Sequence, residues 1–198
     1  MKLLIIGDDK ISRKVVTSLP YDRHLRIVVD TTSLYRRVLR LLRRGSLTAP
    51  MLLQMAWAEM CRKGEPAPPL PTVKNNHDIL SVIKKYGIDT AFLFRTGIII
   101  NSSVLATDVN VMNIHCAKLP DYAGLGAIYK ALKNEEFYQE ATLHRVAKQI
   151  DLGETVETLP YALRPELSYR HNEDIAYEAG AKLLARRLVG DKSADEVV

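Results

Sequence analysis

Asn113, His115 and Asp151 are the residues of this chain whose types and order could do chemistry. Asn113 and His115 stand two apart in Val111-Met112-Asn113-Ile114-His115, a short apolar run with the look of a strand. Side chains two apart on a strand share a face, so both would look into one cavity. Asp151 is a second polar point in an apolar setting, Ile150-Asp151-Leu152-Gly153. An amide can donate to an oxyanion, and an imidazole beside a carboxylate can take and release a proton. The residues alone leave a plainer reading open, a capped turn and a satisfied histidine, because N-x-H is a common tripeptide. Leu119-Pro120-Asp121 turns the chain, and Gly124 and Gly126 permit a close approach ahead of a helix at 127–133.

The flanking sequence has the alternation of a doubly wound α/β chain. Lys2–Ile6 reads as a strand, Gly7-Asp8-Asp9 as its turn and Ile11–Leu19 as a helix. Of a dinucleotide-binding G-x-G-x-x-G only Gly7 is present. Ser12, Arg13 and Lys14 could meet an anion at the helix start or be an exposed first turn. Leu25–Val29 is a second strand, and Asp30 at its end suits a ribose hydroxyl or a cap. Ser33–Arg44 has helical spacing, with Leu34, Val38, Leu41 and Leu42 on one face and five arginines on the other. That basic face can be solvated, can cover an acceptor site, or can meet an anionic membrane or nucleic acid. Pro50 can open a further helix to about Lys63, followed by an extended Pro-rich connector, Gly64–Pro71. Asn75 or Asn76 can cap a helix that Gly87 stops after Tyr86. Strands are expected at Asp89–Phe94, Val109–Ile114, Ala141–Ala147 and Glu154–Leu163, and a last helix at Asn172–Leu188.

Charge is uneven along the chain. Residues 1–74 carry fourteen Lys/Arg against six Asp/Glu, and the rest fourteen against seventeen, within a net +5. Two cysteines, Cys61 and Cys116, form no C-x-x-C pair or metal-ligand set, which suits a reduced, cytoplasmic protein. Cys116 follows His115 but should face the other side of the strand. The N-terminus reads as a strand rather than a signal peptide, and no apolar run is long enough to cross a membrane.

N-I-H-x-x-x-L-P-x-Y-x-G, then T-L-H-R-V and I-D-x-G, resembles the folate-dependent formyltransferases between about Asp89 and Pro160. That family includes glycinamide ribonucleotide transformylase, methionyl-tRNA formyltransferase and the sugar N-formyltransferases. The resemblance implies an α/β, Rossmann-like formyltransferase fold. Its sheet would be mixed, mostly parallel and twisted, flanked by helices, with a basic helical insertion at 31–72 after the second strand. It implies one catalytic domain over 1–190, a tail at 191–198, and 10-formyltetrahydrofolate as co-substrate, with no metal. Asn113, His115 and Asp151 match the catalytic triad positions. Phe94, Arg95, Thr96, Gly97 and Ile98, with Ile150, Leu152 and Gly153, match segments that embrace the pterin. Gly7, Asp8, Lys10, Ser12, Tyr122 and Gly124 would face the acceptor. His144 has a family counterpart, read as structural rather than as a proton carrier.

Two departures bear on the acceptor. Asp8 and Asp9 stand where the ribonucleotide transformylase usually has residues that hold phosphate, and Ala123 stands where an arginine is frequent. The expectation is therefore a small primary amine, first an amino-sugar nucleotide and second glycinamide ribonucleotide. The length suggests a single-domain transferase, a homodimer stays open, and tRNA is disfavoured by the lack of a recognised RNA module. Hydrolysis of the formyl group, or an inactive binding module, are the rival readings.

Overall fold

Leu3, Leu4, Ile5 and Ile6 are fully buried, which makes strand β1 (Lys2–Gly7) an inner strand of the sheet. A strand covered on both faces needs a continuous apolar run rather than alternation. The computed structural model describes residues 1–20, 22–32, 38, 42, 45, 47–64 and 69–189. Within them β2 (Leu25–Asp30), β3 (Thr72–Val73), β4 (Thr90–Phe94), β5 (Asn110–His115), β6 (Tyr138–Arg145) and β7 (Thr155–Ala162) join β1 in one seven-stranded sheet. The order is β3-β2-β1-β4-β5-β6-β7. β3 to β5 run parallel, and β6 and β7 are added antiparallel at one side. The mixed, mostly parallel sheet expected from the sequence is thus present.

Helices α1 (Lys10–Ser18), α2 (Ala49–Cys61), α3 (Asn76–Tyr86), α4 (Ser102–Leu105), α5 (Ala127–Lys133) and α6 (Tyr169–Val189) flank it. Leu4 and Ile6 pack in the layer of α1 and α6, with Val15, Leu183 and Leu184. Leu3 and Ile5 pack in the opposite layer with Ile79 and Val104. The caps follow the residue types. Asn75 accepts from the Asp78 amide at 3.0 Å, and Gly87 ends α3 at φ +60°. Gly180 lets α6 lie on β5, since a Cβ there would stand 2.4 Å from Cys116 Sγ. Gly180→Ala is expected to lower stability by about 1–3 kcal/mol through overpacking, read as a shifted urea midpoint at unchanged slope.

Several boundaries differ from the sequence reading. β5 runs on to His115, so the imidazole is carried by the strand itself. β6 begins at Tyr138, three residues early, because its pairing with β7 reaches Tyr138↔Ala162. β3 was not expected; two residues carry no periodicity, and pairing with Val29 and Asp30 alone defines it. α6 starts at Tyr169, its first turn held by Asn172, whose side chain accepts from the Arg164 amide at 2.7 Å. Nearly all of the arginine-rich stretch 33–44, the stretch 65–68 of the connector and the tail from 190 lie outside the described residues.

Candidate active site

The antiparallel register of β5 on β6 sets Asn113 opposite His144. Asn113 Nδ2 stands 3.0 Å from His144 Nε2. His144 Nδ1 donates to the Arg145 carbonyl at 3.0 Å, which leaves Nε2 as the acceptor for the amide. His144, only 2% exposed, therefore fixes the orientation of Asn113. Asp151 reaches the same point from the loop between β6 and β7, in a backbone conformation with φ +56°. Gly153 lets that loop close, since a Cβ there would stand 1.7 Å from the Arg145 carbonyl oxygen. Gly153→Ala is expected to push Asp151 out of place and cut turnover more than stability, checked by kinetics beside thermal melting.

Asp151 gathers the site. Its Oδ2 accepts from the Gly124 amide at 2.9 Å and lies 3.5 Å from His115 Nδ1. Its Oδ1 accepts from Asn113 Nδ2 at 3.3 Å and lies 3.6 Å from His144 Nε2. His115 Nε2 donates to the Tyr122 carbonyl at 2.8 Å, so Nδ1 is the nitrogen turned to Asp151. Burial pulls the Asp151 carboxyl upward. The His144 ring at 3.6 Å, the His115 charge and the Gly124 amide outweigh it and bring the group down to about 2. His115 is held below 6.5, because burial outweighs the favourable charge of Asp151. At neutral pH the pair is a carboxylate beside a neutral imidazole, able to take a proton at Nδ1.

These groups open into a cavity of about 310 Å³. Its lining includes residues 95–100 and 146–151, together with Asp9, Met55, Tyr169, Glu173 and Tyr177. Asp30, 5% exposed, has its carboxylate taken up by backbone amides. Its Oδ2 accepts from the Gly97 and Ile98 amides at 2.7 Å each, and its Oδ1 from Thr32 at 2.8 Å. It is the anchor of the 95–100 wall. A hydrogen bond to a charged group is worth about 1.5–3 kcal/mol. Asp30→Ala should therefore loosen the wall and raise the donor's KM more than it lowers kcat, measured by steady-state kinetics.

The other sequence-derived candidates divide. Arg95, Thr96, Gly97, Ile98, Ile150 and Gly124 line the cavity. Phe94, fully buried, belongs to the core. Leu152 is 52% exposed outside the lining, and Gly153 acts through the loop. Tyr122 is buried and offers the site its carbonyl rather than its ring. Gly7 packs against the Arg95 backbone, and Asp8 pairs with Arg13 at 2.7 Å. Ser12 is fully buried and does not line this cavity. Lys10 is spent on carbonyls of α2. His144 and Asp30 are the residues whose part in the site sequence reasoning missed. The T-L-H stretch was a signal for the first; nothing local signals the second.

A family model described as formyl transferase matches residues 62–188. The chain belongs to the formyl transferase family. The match covers β4 to β7, the strands that bring Asn113, His115, His144 and Asp151 together. Among curated relatives, methionyl-tRNA formyltransferase of Sulfurihydrogenibium sp. (strain YO3AOP1) is 28% identical over 123 residues, 59% of this chain and 38% of that protein. The chain thus spans about two fifths of the length of that relative. Among solved structures, phosphoribosylglycinamide formyltransferase from Streptococcus pneumoniae TIGR4 superposes with TM-score 0.64 at 15% identity, covering 95% of this chain and 98% of the other. The N-formyltransferase from Helicobacter canadensis, in complex with folinic acid and dTDP-3-aminofucose, superposes with TM-score 0.61 at 15% identity, covering 96% and 63%. At that identity the two structures speak for the formyltransferase fold. Among the described residues no helix is long and apolar enough to cross a membrane, and no group of His, Cys, Asp and Glu could hold a metal ion.

Proposed function

We propose that this chain transfers a formyl group from 10-formyltetrahydrofolate to a primary amine of a small molecule, with an amino-sugar nucleotide the first acceptor to test. The observation that carries the reading is the meeting of Asn113, His115 and Asp151 at one cavity, with Asp151 within 3.5 Å of both partners. The cavity suits the donor. Backbone of 95–100 and 146–151 offers amides and carbonyls to the edge of a heterocycle, and Ile99 and Ile150, about half exposed, offer apolar rims. The donor supplies an activated formyl carbon, and the residues supply placement, charge and a proton path.

One Asn113 Nδ2 hydrogen is held by His144, at 3.0 Å. The other makes the longer contact to Asp151 and can be shared with the formyl oxygen as it becomes negative. Loss of such a donor typically costs about 2.7–4 kcal/mol of barrier. His115 Nδ1 takes the proton released as the amine attacks. The ionised Asp151 stabilises the imidazolium, which then donates at Nδ1 to the oxyanion or, through water, to the departing nitrogen. His115 thus serves first as base and only once protonated as hydrogen-bond donor, because its Nε2–H is already committed to Tyr122.

Glycinamide ribonucleotide is the second acceptor to test, on the likeness to phosphoribosylglycinamide formyltransferases in overall fold. The experiment is a spectrophotometric assay of tetrahydrofolate release with each candidate amine, without amine, and with His115→Ala. Release that needs one amine and disappears in the variant supports transfer and identifies the acceptor class. Release without amine means hydrolysis, and no folate binding at all overturns the reading.

A further inference from the structure

In a doubly wound sheet the N-terminus of the helix after β1 is the usual seat of a substrate anion, because its amides are unpaired and its dipole is positive. In this chain the seat is taken from within. Asp9 Oδ1 accepts from the Ser12 amide at 2.8 Å. Glu59, at the end of α2, accepts from the Lys10 amide through Oε1 at 2.9 Å. Lys10 Nζ donates to the carbonyls of Glu59, Met60 and Arg62 at 3.0, 3.2 and 2.7 Å.

The carboxylate that plugs the seat is itself held. Arg62, 8% exposed, pairs with Glu59 at 3.3 Å, Glu173 at 2.7 Å and Asp174 at 2.8 Å, pinning the end of α2 to α6. α2 also walls the cavity through Met55 and packs Met51 on Gly126. Around the head of α1 these cations and carboxylates answer one another. Lys10, Arg13, Arg62 and Arg95 are each already engaged, and Asp8, Asp9 and Glu59 would meet any incoming dianion. Among the described residues two buried polar atoms keep an open need, Ser12 Oγ and Arg95 Nη1, and the second belongs to a residue that lines the cavity. Arg95 Nε donates to Asp9 at 2.9 Å and its guanidinium lies 3.9 Å over the Tyr177 ring, while its buried Nη1 has no hydrogen-bond partner. A neutral oxygen answers the need of Nη1 without adding charge.

We infer that Glu59 is the built-in occupant of the anion seat at the head of α1 and a specificity-determining residue: the accepted amine is a hydroxylated small molecule that brings no phosphate to this seat. The acceptor half of this statement rests on the formyl-transfer reading; the occupancy half does not. An amino-sugar nucleotide remains compatible, its sugar entering and its diphosphate staying outside.

The test titrates inorganic phosphate and ribose 5-phosphate into the full chain and its Glu59→Ala and Glu59→Gln variants, following the Lys10 and Ser12 amide resonances. Native protein should show no movement at millimolar phosphate. Glu59→Ala should bind at least about tenfold more tightly, and Glu59→Gln, which keeps an oxygen on Lys10 but loses the charge, should fall between. Native binding as tight as that of the variants overturns the occupancy. So does a folded Glu59→Gln that gains nothing, which decides the matter even if Glu59→Ala does not fold. In formyl transfer, glycinamide ribonucleotide should have no advantage over its dephosphorylated riboside; an advantage beyond about tenfold overturns the selectivity. The titration needs no turnover. A protein that shows the Glu59 effect but formylates no amine refutes the transfer reading and keeps the occupancy.

Discussion

Asp151→Asn lowers kcat by about 10²–10⁴-fold, the usual worth of general acid–base assistance, while the protein still unfolds cooperatively. The fold survives because an asparagine oxygen can still accept from the Gly124 amide, which Asp151 holds at 2.9 Å. Chemistry fails because the His115 imidazolium loses its carboxylate partner, 3.5 Å away. The pH profile separates this from a structural effect. The working base is neutral His115, held below 6.5, so native activity is full above that value and lost as pH falls through the lowered one. The Asp151 charge pushes His115 up, so its removal moves the acid limb to still lower pH. Asp151 itself, near 2, stays ionised across this window. An acid limb that does not move in Asp151→Asn would deny the coupling.

Arg62→Ala is expected to cost about 3–5 kcal/mol of stability, the range for stripping one partner from a buried ion pair. Among the described residues, Glu173, 4% exposed, would keep the Tyr169 hydroxyl at 2.8 Å as its hydrogen-bond partner, while Glu59 and Asp174 stay partly solvated. The same change frees the end of α2 from α6. Denaturant unfolding should thus show a large drop in midpoint, and limited proteolysis should first cut near residue 62. Arg62→Met, which keeps volume but no charge, should lose nearly as much, because the buried Glu173 carboxylate is equally abandoned. A loss below about 1 kcal/mol would place the pair among surface bridges of little worth.

What the sequence made legible was local. Apolar β1 declared itself a strand, Asn75 and Gly87 declared the ends of α3, and N-x-H at the end of an apolar run placed two site residues on one face. The remaining site residues depend on pairing across the sheet. His144 joins Asn113 only through the antiparallel register of β5 and β6, and nothing within T-L-H states that register. Asp30 reaches the amides of Gly97 and Ile98, 67 and 68 residues away, and Glu59 reaches Lys10 across 49. A lone carboxylate in a sequence reads as a cap or a ligand, and only the fold says which amide it meets. Ser12 misled for the same reason: a helix-start serine looks accessible, yet here it is fully buried.

The most direct test of the central claim follows a labelled formyl carbon. The full chain is incubated with 10-formyltetrahydrofolate carrying ¹³C in the formyl group and an amino-sugar nucleotide, and the label is located by NMR. Label appearing in a new formamide on the amine, at a rate that collapses in Asn113→Ala and His115→Ala alike, is the predicted result. Label appearing in free formate, or remaining on the folate while the donor is bound and every candidate amine is present, would contradict the account.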